Sequence, residues 1–148
     1  MNALSHHSIR AVALRFLANR DYSQHEMAKK LKSKGYSYDE IALLLAELTQ
    51  NKLLDDRRFA ENYIYKRRTK GYGPHRIRIE LQMHGLSDEL IAETLKITDN
   101  AWFIDIKRVW QKHFKGKQAS DFKNRAKQMR FLHYRGFTAE QVESVFHD

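Results

Sequence analysis

The chain of 148 residues carries 27 Lys and Arg against 18 Asp and Glu, a formal net charge of +9, with 42% apolar and 11% aromatic residues and no cysteine. That composition excludes disulfides, cysteine-ligated metals and thiol nucleophiles, and one proline with six glycines argues against a loop-rich or all-β chain. No apolar run reaches the length of a membrane span, and residues 1–10 lack the apolar stretch of a secretory signal, so a cytoplasmic protein without cofactors is expected.

Helical spacing is visible from the start. A first helix runs through Val12, Ala13, Phe16 and Leu17 to Arg20. Tyr22 and Ser23 open a second, with Met27 four residues after the cap, the spacing of a hydrophobic staple. It passes Leu31 and Lys34 and ends at Gly35, which suits a left-handed closing residue. Ser37-x-x-Glu40 is a capping box that opens a third helix with Ile41 and Leu45.

Asp55 or Asp56 caps a fourth helix through Phe59, Ala60, Tyr63 and Ile64 to Arg67. That set superposes on the first helix at an offset of 47, so Arg67 stands where Arg20 does. Between Arg67 and Tyr72 this copy holds three more residues than lie between Arg20 and Tyr22. Tyr72-Gly73-Pro74 opens a fifth helix, with Pro74 in the first turn, where no donor is lost. Ile77, Leu81, His84 and Gly85 follow. Ser87 caps the sixth helix less completely, because Leu90 occupies its third position; Ile91 and Leu95 continue it. The seventh carries Trp102, Ile106, Val109 and Trp110, read as packing residues. Lys112, Lys115 and Lys117 fall in a loop with Gly116. The eighth helix sets Phe122, Ala126 and Met129 on an apolar face and ends at Leu132, Arg135 and Gly136. Thr138-x-x-Gln141 boxes the start of the ninth, with Val142 and Phe146.

Gly35, Gly85 and Gly136 recur at spacings of 50 and 51, each in the same setting. A fixed period of this size means one supersecondary unit used three times. The expectation is an all-α fold of three tandem three-helix modules (1–52, 53–98 and 99–148) in an elongated, curved array. A unit of about 50 residues is near the lower limit for its own core, so neighbours should pack together. Nothing beyond the core pattern supplies a further apolar stripe, so a monomer is expected.

The modules carry net charges of +3, +2 and +4, so the basic excess is spread along the molecule. Such a balance favours polyanions or acidic protein surfaces, although solubility alone would also be served. Six cations, Lys66, Arg67, Arg68, Lys70, Arg76 and Arg78, surround one helix–loop–helix corner, where the helix start at Gly73-Pro74 adds a partial positive field and free backbone donors. Arg67 also has the position of a structurally paired residue, and Arg76 has Glu80 four residues on. Lys123, Lys127 and Arg130 share one helix face and could follow a phosphate backbone without reading bases.

Catalytic readings are weaker. Asp55-Asp56 could bind a metal, but adjacent aspartates at a helix start usually cap it. His6-His7 is the one adjacent histidine pair, no His-Glu-x-x-His pattern occurs, and 71–74 is too short for a phosphate-binding glycine loop. A helix-turn-helix DNA reader competes, yet the third helices of the first two copies, 42–47 and 92–96, are apolar, acidic or small and read as packing elements.

The stretch from Leu54-Asp55-Asp56-Arg57-Arg58-Phe59-Ala60-Glu61 through Arg67 to Lys70-Gly71-Tyr72-Gly73-Pro74-His75-Arg76-Ile77, with Glu80-Leu81 and Gly85, resembles the central signature of the bacterial RecX family. Arg20-Asp21-Tyr22-Ser23-x-x-Glu26 to Gly35 is similar to that family's first module, and Arg130-Phe131-Leu132-x-Tyr134-Arg135-Gly136-Phe137 to its third. The resemblance implies a non-catalytic cytoplasmic regulator of the RecA recombinase. Such proteins bind RecA filaments on single-stranded DNA and suppress ATP hydrolysis, strand exchange and co-protease activity, within recombinational repair and the SOS response. The expected contact residues are Lys66, Arg67, Arg68, Lys70, Arg76, Arg78, Lys123, Lys127 and Arg130. A sequence-independent DNA-binding protein acting without RecA is the alternative.

Overall fold

The computed structural model describes the backbone of residues 3–147 and side chains from residue 8 to 147; His6 and His7 lie outside the described side chains. The described residues form nine α-helices and no strand. They group in threes: α1 (Ala3–Asn19), α2 (Gln24–Ser33) and α3 (Tyr38–Gln50); α4 (Asp56–Thr69), α5 (Pro74–Met83) and α6 (Asp88–Leu95); α7 (Ala101–Phe114), α8 (Phe122–Tyr134) and α9 (Ala139–Phe146). The accessible surface is 9890 Å² for 17.6 kDa, against about 7,900 Å² for a compact monomer of that mass. The excess is what an array, rather than a ball, exposes.

Local chemistry sets the helix ends. Ser37 with Glu40 and Thr138 with Gln141 form reciprocal capping boxes, and Ser23 with Glu26 forms another. Ser87 accepts only from the Leu90 N–H. Asp55 accepts the Arg58 N–H at 3.1 Å and is the cap of α4. Asp56 reaches back to accept the Gln24 N–H at 2.9 Å, joining the starts of α4 and α2. Both carboxylates of the Asp55-Asp56 pair therefore satisfy helix-start donors.

One docking rule joins the modules: the start of each middle helix seats on the glycine corner of the next module. Ser23 Oγ donates to the His84 carbonyl at 2.6 Å. Gly73 N–H donates to the Arg135 carbonyl and His75 N–H to the Gly136 carbonyl, both at 2.8 Å. A Cβ on Gly136 would stand 2.5 Å from Arg76 Cβ, and one on Gly85 would strike the His25 ring. Gly35 shares their positive φ (+94°), but among the described residues no middle-helix start seats on it and nothing lies within 4 Å of its missing Cβ. The inner glycines thus serve close approach as well as the turn.

The three modules do not have three separate cores. Ile9, Ala13, Met27, Leu31, Leu44, Leu48 and their neighbours make one cluster in the first module. The second and third share a continuous cluster, in which Trp102 and Ile106 of α7 meet Phe59, Ile64, Ile77 and Leu81. Trp102 is fully buried, with its Nε1–H donated to the Lys96 carbonyl at 3.0 Å. Trp110 is half-buried and donates to Gln128 Oε1 at 3.1 Å, so both indoles are packing residues, as expected.

The far end of the array departs from expectation. Helix α8 has 13 residues where α2 and α5 have 10, and Asp121 caps its extra first turn. Among the described residues no further module seats on that turn. Phe122, expected on the apolar face, is 87% exposed there. The buried residues of α8 are instead Gln128 and Leu132. Lys112, expected in a loop, belongs to α7.

Candidate functional site

The six cations of the middle corner do not converge on one surface. Successive residues of a helix point about 100° apart, and the end of α4 distributes them accordingly. Lys66 is exposed and borders a hollow shared with Arg20 and Asp21 of the first module. Arg67 turns inward and makes a two-pronged pair with Glu80, Nε and Nη2 each 2.8 Å from a carboxylate oxygen. Tyr63 donates to the same carboxylate at 2.9 Å. Burial raises the Glu80 carboxyl, but the bonds from Arg67 and Tyr63 outweigh it and hold it below the ordinary range. Burial, together with that hydrogen bond to Glu80, pushes the Tyr63 hydroxyl up to about 12.

Arg68 points towards the third module, where Nε lies 2.6 Å from Oδ2 of Asp105, a carboxylate only 5% exposed. The same guanidinium lies over the Trp102 ring at 4.7 Å. Arg76 stacks on Tyr72 at 4.4 Å and reaches Glu80 at 3.4 Å. Arg67 and Arg135 also face the Tyr72 ring, at 3.9 and 5.1 Å. Arg67, Arg68 and Arg76 are therefore construction elements of the corner, their charge already met by a carboxylate. Lys66, Lys70 and Arg78 show no ion pair among the described residues. Arg78 is half-buried on α5; burial first, then Arg78 and His133, push the His75 imidazole below its ordinary value.

Two of the expected free donors at the start of α5 are taken. The Gly73 and His75 N–H groups are both bonded to backbone carbonyls of the third module. A helix N-terminus that serves as an anion site needs those donors open, and here the module seam has used them.

A different basic hollow arises at that seam. It has a volume of about 340 Å³ and is bordered by Arg68, Lys70, Arg108, Lys112, His113 and Arg135, with no acidic residue in its lining. Arg108 and Lys112 are i, i+4 neighbours on α7, and both are exposed. Arg135 is held in place by donating from Nη1 to the Lys70 carbonyl at 3.2 Å and by lying over the Phe131 ring at 5.1 Å. Of these residues only Arg68 and Lys70 were expected at a site. The missing signal was the Arg108–Lys112 spacing on α7, which points at the α4–α5 corner only once the seam has formed.

The α8 stripe lies on an open helix face. Lys123, Lys127 and Arg130 are all exposed and show no ion pair among the described residues. Counting back nine residues from each repeat glycine places Lys127 where Arg76 and Glu26 stand, the positions that serve the two seams. In the third module that position faces no further module among the described residues. At the start of the array, Glu26 bonds His84 Nδ1 at 2.8 Å, so the seam between the first two modules is polar and titratable.

Fold and surface together define a helical-repeat protein of tandem three-helix modules whose cations gather at a seam and along α8. Residues 10–48, 55–95 and 106–146 match the family models of the first, second and third three-helix domains of RecX. The chain is 40% identical over 134 residues to the Regulatory protein RecX of Legionella pneumophila (strain Corby), 90% of this chain and 89% of that protein. It is 36% identical over 141 residues to the Regulatory protein RecX of Vibrio vulnificus (strain CMCP6), 95% of this chain and 92% of that protein. The fold is similar to the crystal structure of RecX from Lactobacillus salivarius, with a TM-score of 0.82 at 18% identity, covering 98% of this chain and 96% of that one. The chain belongs to the RecX family. Among the described residues no helix is long and apolar enough to cross a membrane.

Proposed function

We propose that this chain is a non-catalytic, cytoplasmic and monomeric regulator that binds RecA filaments on single-stranded DNA and inhibits RecA ATP hydrolysis, strand exchange and co-protease activity. Family membership supplies the class, since the relatives above are named regulatory proteins. The observation that carries the docking mode is the α8 stripe: among the described residues its three exposed cations have no carboxylate partner and no further module covers the start of their helix. Such a stripe meets phosphate or acidic protein surface without remodelling the fold. An elongated array of modules, with boundaries proposed at 1–52, 53–98 and 99–148, is suited to contact more than one subunit of a filament.

The test is RecA ATP hydrolysis on single-stranded DNA, with this protein well below RecA in concentration. Wild type should inhibit, and the Lys123→Glu, Lys127→Glu, Arg130→Glu triple variant should need at least about tenfold more protein for the same effect, a coupling of roughly 1.4 kcal/mol. Unchanged inhibition by the folded variant removes the stripe from the mechanism. Inhibition only when the DNA is saturated favours the second reading, a sequence-independent DNA-binding protein that competes with RecA for the strand.

A further inference from the structure

We propose that the hollow at the seam of the second and third modules is a phosphate seat for a single-stranded polynucleotide, formed by Lys70, Arg108, Lys112 and Arg135. The proposal deepens the reading of a protein that works on a DNA-bound filament by assigning where the strand is held, at a surface separate from the α8 stripe.

Charge balance is the first argument. Five Lys and Arg side chains border the hollow and no acid does. Asp105, which is not part of the lining, is shared between Arg68 at 2.6 Å and Arg108 at 3.6 Å. Four positive charges are left without a counter-charge. One phosphodiester brings a single negative charge, so a run of phosphates matches the site better than one isolated anion.

Preorganisation is the second. A flexible cation loses rotamer freedom on binding, but Arg135 of the seat and Arg68 beside it are already fixed. Arg68 is held by Asp105 and the Trp102 face, and Arg135 by the Lys70 carbonyl and the Phe131 face. The carboxylate and rings orient these groups while their charge borders the hollow. Lys70 and Lys112 stand exposed at the mouth, where they can follow a mobile strand. His113, also exposed, lies flat against Phe131 with centroids 3.8 Å apart and offers an aromatic surface beside the cations.

The mode of contact is the third. The seat uses side chains, because the Gly71, Gly73 and His75 N–H groups are bonded to carbonyls. A site for a nucleoside triphosphate characteristically wraps phosphates in open backbone donors. Side-chain cations without such a loop suit a backbone held irrespective of sequence. The seat also straddles α4, α7 and the start of the α8–α9 corner, so a bound strand would tie the two modules together.

Fluorescence anisotropy of a fluorescein-labelled oligo(dT) strand, titrated with the full chain over a series of salt concentrations, tests this. Lys70→Gln with Lys112→Gln removes two exposed cations that hold no ion pair, and thermal melting checks that the variant is folded. The expected result is a salt slope shallower by about 1.4, two contacts at about 0.7 each, and weaker binding at low salt. A Lys123→Gln, Lys127→Gln variant, matched in charge, should change affinity less. Equal losses in the two variants would reduce the effect to net charge and overturn the seat. So would an unchanged slope, an absence of binding by wild type, or displacement of the strand by millimolar ATP or inorganic phosphate. RecA inhibition by the same variants separates the two proposals. Lost inhibition with intact oligo(dT) binding would make the hollow a contact for acidic protein and overturn the seat alone. Oligo(dT) binding as expected, with no RecA inhibition by wild type, would leave the seat standing and sink the regulator reading.

Discussion

The two seams of this array follow the same docking rule with opposite chemistry. Between the first and second modules, the contacts are side-chain and polar: Ser23 to the His84 carbonyl, Glu26 to the His84 ring, Asp56 to the Gln24 N–H. Between the second and third, backbone bonds to Arg135 and Gly136 accompany a shared apolar core around Trp102. One repeat can thus make a jointed seam or a fused one, depending on whether ionisable groups or rings meet across it. The fused seam is also where the cations gather, because the three residues added between Arg67 and Tyr72 extend α4 by most of a turn and bring Lys70 and Gly71 beside α7.

The sharpest way to break the comparison is at the glycines. Gly136→Ala puts a Cβ 2.5 Å from Arg76 Cβ and 2.7 Å from the Arg76 backbone nitrogen, at a φ of +103°. The expected loss is about 3 kcal/mol or more, from left-handed strain and overlap together. Gly35→Ala has the strain without the overlap and should lose about 1 kcal/mol. Urea unfolding of both proteins measures the difference. Equal losses would mean that the inner glycine serves the turn alone and the close seam is incidental.

Next in size is the buried carboxylate of the fused seam. Asp105→Asn leaves Arg68 facing a neutral amide, and the expected loss is about 2 kcal/mol, moderated because the Arg68 side chain is itself 33% exposed. Thermal unfolding should show it, with the loss seen in the second and third modules together. A loss below about 0.5 kcal/mol would mean that Trp102 and its neighbours hold the seam without the ion pair.

What was legible in the sequence follows the same division between local and non-local. Helix number, caps and the repeat depend on residues a few positions apart, and Ser37, Ser87, Thr138 and the glycines were readable for that reason. Charge pairing was not. Arg68 and Asp105 lie 37 residues apart, and nothing near either one names the other. Glu80 was seen as a neighbour of Arg76 at helical spacing, yet Arg67, 13 residues away, takes its shorter bonds. The open donors at Gly73-Pro74 and the apolar face through Phe122 failed for a shared cause. Each depends on whether a neighbouring module covers that helix start, which the period of the repeat does not reveal. The exposure of the α8 cations was readable because, among the described residues, they have no ion-pair partner to find.

The smallest expected effect sharpens the contrast by pH. Burial raises the Glu26 carboxyl, but the bonds from His84 and the Ser23 N–H and the nearby Arg20 lower it further, and the net shift is downward from 4.5. A carboxyl depressed in the folded state binds fewer protons there than in the unfolded chain. Its stabilisation is complete above the unfolded value near 4.5 and is lost as pH falls through the lower folded value. Glu26→Gln keeps an acceptor for the Ser23 N–H but removes the charge and replaces the oxygen that faces His84 Nδ1 with an amide donor. The variant should be less stable than wild type by about 0.5 kcal/mol at pH 7, with the gap narrowing as pH falls below 4.5. Urea unfolding at both pH values, followed by a probe in the first module, decides this. A gap that persists in acid would mean that Glu26 acts through shape, and the first seam would then be no more titratable than the second.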